Sequence, residues 1–402
     1  MGSTTASWPR RVIAAAGALA ITFASVPAAH AAPRPRNEEW WFSTWDVQKK
    51  VWPITTGRGV TVAVLDGGIN AGLPDLAGVV LSGTDLDGHK DDGRIDFDTD
   101  LNGHGTAMAA LIAGQGSAMV GVAPSAKILP VTVFRDESNA SKEDVQAAGI
   151  RYATKHGAKV ISMSTVGGSA GGPLQCDYYL QGAVDYAIKH DVVLVAGAGN
   201  DGDTSNQAEA PASCPGVVGV GAVDYQARPW VKTERQPYVA IAAPGVDAGS
   251  IGKAGIFSNN SGTSTSTALA AGVVALIRAK FPKMSAREVV QRTIASALDT
   301  GPKGVDLQTG YGLLRPYHAL TDKVPANAPN PVYARWDQSQ KTMPTSAPPP
   351  STSPLVVAKP EKKSGSSSTV PLVVGGVLLL CVLAGTGGLI ARRTRGPGVR
   401  SR

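Results

Sequence analysis

This 402-residue sequence predicts an α/β fold, with a mostly parallel central sheet, helices on both faces and a single C-terminal transmembrane helix. Three observations carry that prediction. Short apolar runs alternate with helix-like stretches between residues 60 and 297, the pattern of parallel strands joined by crossover helices. Three segments set a polar residue at a strand end or a helix start of this pattern: Val62-Ala-Val-Leu-Asp66, Asn102-Gly-His104-Gly-Thr-Ala and Ser261-Gly-Thr-Ser264-Thr-Ser-Thr-Ala. Finally, residues 370–391 carry no charge and are long enough to cross a bilayer.

Residues 1–31 have the layout of a secretory signal. Arg10-Arg11 supply the positive region, Val12–Val26 the apolar region and Ala29-His-Ala31 a small-residue cleavage site. Residues 32–56 form an N-terminal extension with Glu38-Glu-Trp-Trp-Phe42 and Trp45. Aromatics that dense are costly in water, so the extension is expected to pack on the core.

The main domain is expected over 57–323. Its strand-like runs are Val60–Leu65, Lys127–Phe134, Lys159–Met163, Val192–Ala196, Val217–Val223 and Val239–Ala242. Its helix-like stretches are Thr106–Ala113, Lys142–Lys155, Gln181–His190, Thr267–Lys280 and Ala286–Ala297. A Pro- and Ser-rich linker follows over 324–369, with Ala347-Pro-Pro-Pro350 inside it. After the apolar span, residues 392–402 hold five arginines. The positive-inside rule makes that tail cytoplasmic and places the main domain outside, anchored to the cell membrane by one pass.

The formal charge of +7 belongs to the ends. Seven of the 38 basic residues lie in 1–31 and 392–402, where no acidic residue does, so the remainder balances 31 bases against 31 acids. Nothing supports nucleic acid as a partner. Asp85, Asp87, Asp91, Asp92, Asp96, Asp98 and Asp100 crowd one loop. They are read as a solvated acidic loop, with structural Ca²⁺ as the alternative and no other metal or cofactor. Cys176 and Cys214 flank the Asn200 strand in an oxidising compartment and are expected to form a disulfide, with two free thiols as the alternative; Cys381 falls in the apolar span.

Taken singly, Asp66 is a turn residue, His104 a loop residue and Ser264 a position beside a helix cap. In the order Asp, His, Ser they have the pattern of a nucleophilic triad. Asp66 sits at a strand's carboxyl end and His104 at a helix start. Ser264 precedes a helix of small residues, where free backbone N–H groups stabilise an oxyanion.

From Gly57 to Leu320 the chain resembles the subtilases, the subtilisin-like serine peptidases. The triad segments carry this resemblance together with Gly121-Val-Ala-Pro-Ser-Ala-Lys-Ile, Val160-Ile-Ser-Met-Ser, Ala196-Gly-Ala-Gly-Asn200, Ala242-Ala-Pro-Gly and Gly310-Tyr-Gly-Leu-Leu. It implies a subtilisin-like fold and a serine endopeptidase acting on protein or peptide substrates. Asp66, His104 and Ser264 would be catalytic, and Asn200 would donate to the oxyanion with the Ser264 N–H. Ser162, Ser164, Thr165, Val166 and Gly167 would line the substrate groove. Gly67, Ser266 and Ala268 depart from the usual pattern without deleting a catalytic group.

A narrower set of features resembles the mycosins, the membrane-anchored subtilases of type VII secretion. These are the signal, the Trp-Trp extension, the Pro-rich linker, the single span and Ser162-Met-Ser-Thr-Val-Gly-Gly. The resemblance implies type VII secretion membrane components as partners. The alternative role is mainly structural within that complex, with peptidase activity secondary.

Overall fold

The computed structural model describes residues 1–2, 34–98, 103–134, 143–164 and 172–342. The described chain belongs to one compact unit, and the second unit, Pro348–Arg402, lies outside the described residues. So do the expected apolar span, the basic tail, Cys381, nearly all of the expected signal, and Thr165, Val166 and Gly167. Among the described residues no helix is long and apolar enough to cross a membrane.

Seven strands form the main sheet: β1 (Thr61–Asp66), β2 (Thr84–Asp85), β3 (Lys127–Thr132), β4 (Val160–Met163), β5 (Val193–Gly197), β6 (Val218–Val223) and β7 (Val239–Pro244). Their order is β2-β3-β1-β4-β5-β6-β7, and every pairing is parallel. The strands are valine- and alanine-rich with almost every residue buried, as a sheet covered on both faces requires. Two short strands, β8 (Ser250–Ile251) and β9 (Phe257–Ser258), make a separate antiparallel pair.

Among the described residues eight α-helices accompany the sheet: α1 (Trp41–Thr44), α2 (His104–Ala113), α3 (Glu143–Lys155), α4 (Tyr178–Lys189), α5 (Thr263–Lys280), α6 (Ala286–Ala295), α7 (Pro316–Thr321) and α8 (Pro331–Thr342). From β1 the chain goes on to β2 and β3 toward one edge of the sheet, and from β4 it proceeds through β5 and β6 to β7 at the other edge. The crossover direction therefore switches between β1 and β4, and ligand crevices open at the carboxyl ends of such strands.

α5 is buried on nearly all sides from Thr263 to Arg278. Its small residues allow close approach: a Cβ at Gly272 would lie 2.2 Å from Val122 Cγ1. α4 is capped by Asp177, which accepts from the N–H groups of Tyr179 and Leu180, and α6 opens on a Ser285–Glu288 capping box.

The N-terminal aromatics are part of the core. Trp41, Phe42, Trp45, Val47 and Val51 are buried, and the Trp52 indole donates to the Val122 carbonyl at 3.0 Å. The disulfide joins Cys176 to Cys214.

The expected linker start at 324 is corrected by α8. Val332 and Tyr333 are buried, the Trp336 indole donates to Asp185 Oδ1 at 2.8 Å, and Arg287 pairs with both carboxylate oxygens of Asp337. Polar composition hid this helix. Its apolar residues fall at 332, 333 and 336 on one helical face, and that narrow stripe suffices because the opposite face is solvated.

Candidate active site

Asp66 ends β1 and is fully buried. Its Oδ1 accepts from the Gly67 N–H at 2.8 Å, and both carboxylate oxygens face His104 Nδ1, at 3.0 and 2.9 Å. A carboxylate held this way keeps the proton on Nδ1 and leaves Nε2 as the basic nitrogen. His104 is the first residue of α2 rather than a residue before it. Its backbone N–H donates to Asp98 Oδ2 at 2.7 Å, while Asp96 Oδ2 accepts from the Thr106 N–H and hydroxyl. Two carboxylates of the acidic loop therefore serve the α2 N-terminus, where negative charge is favoured. Burial pushes the Asp96 carboxyl up to about 6, with the Asp66 charge adding to it.

Ser264 lies in the first turn of α5, which begins at Thr263, four residues earlier than the composition suggests. His104, Asn200, Ser250, Asn260 and Ser264 line one cavity. The Ser264 hydroxyl donates to the Ser164 carbonyl at 2.8 Å, and the Ser164 hydroxyl donates back to the Ser264 carbonyl at 3.3 Å. Ser164, just past β4, is thus tied to the nucleophile candidate.

Ser162 is a correction. It is fully buried within β4, paired between β1 and β5, and its hydroxyl has no partner. Enclosed between its two neighbouring strands and without exposed surface, its side chain is not among those lining the cavity.

Asn200 follows β5. Its Oδ1 accepts from the Thr263 N–H at 2.9 Å and from the Thr263 hydroxyl at 3.0 Å. With the oxygen so occupied, the side-chain NH₂ is left for the cavity. The Gly199 N–H donates in turn to Thr263 Oγ1 at 3.3 Å. Thr263 therefore joins the Asn200 segment to the nucleophile's helix. This role was not assigned from sequence, although Thr263 stands beside Ser264 in the motif. The Ser264 N–H, a first-turn amide, lacks an intrahelical partner.

Asp85, His89 and Asp91 bring ligand atoms within 4.8 Å of one another. The Asp85 carboxylate already accepts from the backbone N–H groups of Asp87 and His89. A histidine in the set also suits a transition metal better than Ca²⁺.

The cavity's arrangement has counterparts. Residues 57–312 match the family model described as the subtilase family, Peptidase_S8. Fervidolysin of Fervidobacterium pennivorans is 33% identical over 326 residues, covering 72% of this chain and 44% of fervidolysin. Mycosin-3 of Mycobacterium tuberculosis (strain ATCC 25618 / H37Rv) is 29% identical over 334 residues, covering 68% of this chain and 70% of that protein. The crystal structure of MycP1 from the ESX-1 type VII secretion system superposes with a TM-score of 0.63 at 27% identity, covering 76% of this chain and 90% of that one. The chain spans less than half the length of fervidolysin. The family match covers more than half the chain and takes in the whole cavity, and the chain therefore belongs to the subtilase family.

Proposed function

We propose that the protein is a membrane-anchored, extracytoplasmic serine endopeptidase that acts beside membrane components of a type VII secretion system. One observation carries the peptidase reading: the Asp66–His104 pair, Ser264 and an Asn200 amide oriented by Thr263 converge on one cavity.

The Ser264 hydroxyl turns about its Cα–Cβ bond from the Ser164 carbonyl to His104 and attacks the peptide carbonyl carbon. His104 Nε2 takes its proton and returns it to the leaving amine. Asp66 stabilises the imidazolium. The Asn200 NH₂ and Ser264 N–H hold the oxyanion. Water then enters, gives a proton to His104 Nε2 and attacks the acyl carbon; the acyl bond to Ser264 breaks as His104 returns that proton to the serine oxygen.

The uncharged stretch at 370–391 and the arginines after it support the anchor and its orientation. The likeness to mycosin-3 and MycP1 supports the setting.

The full chain should react covalently with an alkyl fluorophosphonate at Ser264, and Ser264→Ala should abolish the reaction. Labelling that persists in Ser264→Ala defeats the peptidase reading. Full rescue of secretion by Ser264→Ala in a strain lacking the protein would favour the structural role.

A further inference from the structure

Behind Asn200 lies a carboxyl group that the triad chemistry does not use. Glu234, in the connection between β6 and β7, is fully buried. It grips the chain on both sides of Asn200. Its backbone N–H donates to the Gly199 carbonyl at 3.3 Å, and its side-chain Oε1 accepts from the Asp201 N–H at 3.2 Å.

The packing leaves no slack. A Cβ at Gly199 would lie 2.4 Å from Glu234 Cγ and 3.1 Å from Glu209 Cγ, and one at Gly202 would lie 2.0 Å from the Thr233 carbonyl oxygen. Gly199, with φ of +110°, also avoids the strain a side chain would meet there. The other carboxyl oxygen, Glu234 Oε2, is buried without a hydrogen-bond partner.

An ionised carboxylate fits that position poorly. Its second oxygen would be buried, charged and unpaired. The groups facing it are the Glu209 and Asp201 carboxylates, which oppose ionisation, the Arg235 guanidinium, which favours it, and the Tyr238 hydroxyl. Tyr238 itself is tied into the same segment, donating to the Ala198 carbonyl at 2.9 Å and accepting from the Glu209 N–H at 3.1 Å. Burial, with the neighbouring carboxylates adding to it, pushes Glu234 up to about 7.

We propose that Glu234 is a positioning residue for Asn200, seating the oxyanion donor while it is a neutral acid and unseating it when it ionises. The inference rests on the peptidase reading above. Its consequence is an alkaline limb in the pH profile that belongs to neither Ser264 nor His104. His104 must lose a proton to act as base, which sets the acid limb. Glu234 must keep one, which sets the other.

The test is the pH dependence of the maximal fluorophosphonate labelling rate of the full chain. The wild-type rate should fall about tenfold or more between about pH 7 and pH 9, toward the roughly 10²–10³-fold loss seen when an oxyanion donor is removed. Glu234→Gln keeps a neutral acceptor for the Asp201 N–H and should hold the neutral-pH rate while abolishing the fall. Glu209→Gln removes one opposing charge, so Glu234 ionises more readily and the fall should move to lower pH. A flat wild-type profile above pH 7 overturns the inference. So does an unchanged alkaline limb in Glu234→Gln, or an unmoved one in Glu209→Gln. If Glu234→Gln does not fold, the wild-type and Glu209→Gln profiles decide. Absence of labelling at every pH would instead overturn the peptidase reading itself.

Discussion

Thr263 contributes nothing to the chemistry directly, yet three separate polar groups meet on it: the Gly199 N–H, the Asn200 amide oxygen and, through its carbonyl, the Thr267 hydroxyl. An oxyanion donor must be aimed before the charge develops, because reorienting it during the reaction costs the stabilisation it is meant to supply. Asn200→Ala should therefore lower the maximal rate about 10²–10³-fold. Thr263→Val leaves Asn200 present but holds its oxygen only through the Thr263 backbone N–H. The expected loss is smaller, about tenfold, and falls on the rate of the chemical step rather than on substrate binding. Steady-state kinetics of both variants on a fluorogenic peptide check this; a Thr263→Val variant that raises only KM would assign Thr263 to substrate binding.

At the scale of elements, three strand ends and two helix starts build the site. β1 ends on Asp66, β4 leads into Ser164 and β5 into Asn200, while α2 starts on His104 and α5 on Thr263. α2 packs tightly against β1's end: a Cβ at Gly105 would lie 2.2 Å from the Gly68 carbonyl and 3.1 Å from Asp66 Oδ1. The disulfide ties together the segments on either side of α4 and β5. Cys176 precedes α4 and Cys214 precedes β6, so the link, 38 residues apart in sequence, closes a loop containing α4, β5 and Asn200. Chain entropy puts its contribution at about 3–4 kcal/mol. Cys176→Ser should lower the melting temperature and also the labelling rate at Ser264. Calorimetry with labelling kinetics checks both, and an unchanged rate would limit the link to stability.

For the molecule as a whole, buried carboxyl groups set an unusual pH dependence. Burial, as the leading cause at each, raises Glu39 to about 7, Asp96 to about 6 and Glu234 to about 7. Their ordinary values are 4.5, 3.8 and 4.5. Between the ordinary and the raised values the folded chain holds protons that the unfolded chain releases, so stability falls as pH rises through that window and levels off above about 7. The carboxylates lowered by exposed partners, among them Asp92 beside Arg94 and Asp337 beside Arg287, lose their contribution only at more acid pH. The melting temperature should thus be higher at pH 5.5 than at pH 7.5, and Glu39→Gln should reduce the difference. A melting temperature that rises from pH 5.5 to pH 7.5 would contradict this.

The places of Asp66 at a strand end and of His104 and Ser264 at helix starts were legible in the sequence because each stands at the edge of a strongly patterned element, and strand and helix periodicities are local. The parallel sheet with its flanking helices was legible for the same reason. Other features answered to contacts that no local pattern records. Ser162 and Ser164 are alike in sequence, but pairing on both sides of β4 buries the first and leaves the second beside Ser264. α8 follows a polar, proline-bearing stretch and declares itself only by packing Trp336 on Asp185. Asp96 and Asp98, two of a crowd of acids, become partners of one helix N-terminus once the chain folds over α2. Glu234 reaches Gly199 and Asp201 from more than thirty residues away. The sequence by itself determined the strongly patterned strands and helices of the α/β core and the candidate residues for the chemistry, since both follow from side-chain type and spacing. Only the tertiary structure decided which groups hold them in place, since a hydrogen bond between distant segments depends on where the sheet order and the buried helices bring those segments together.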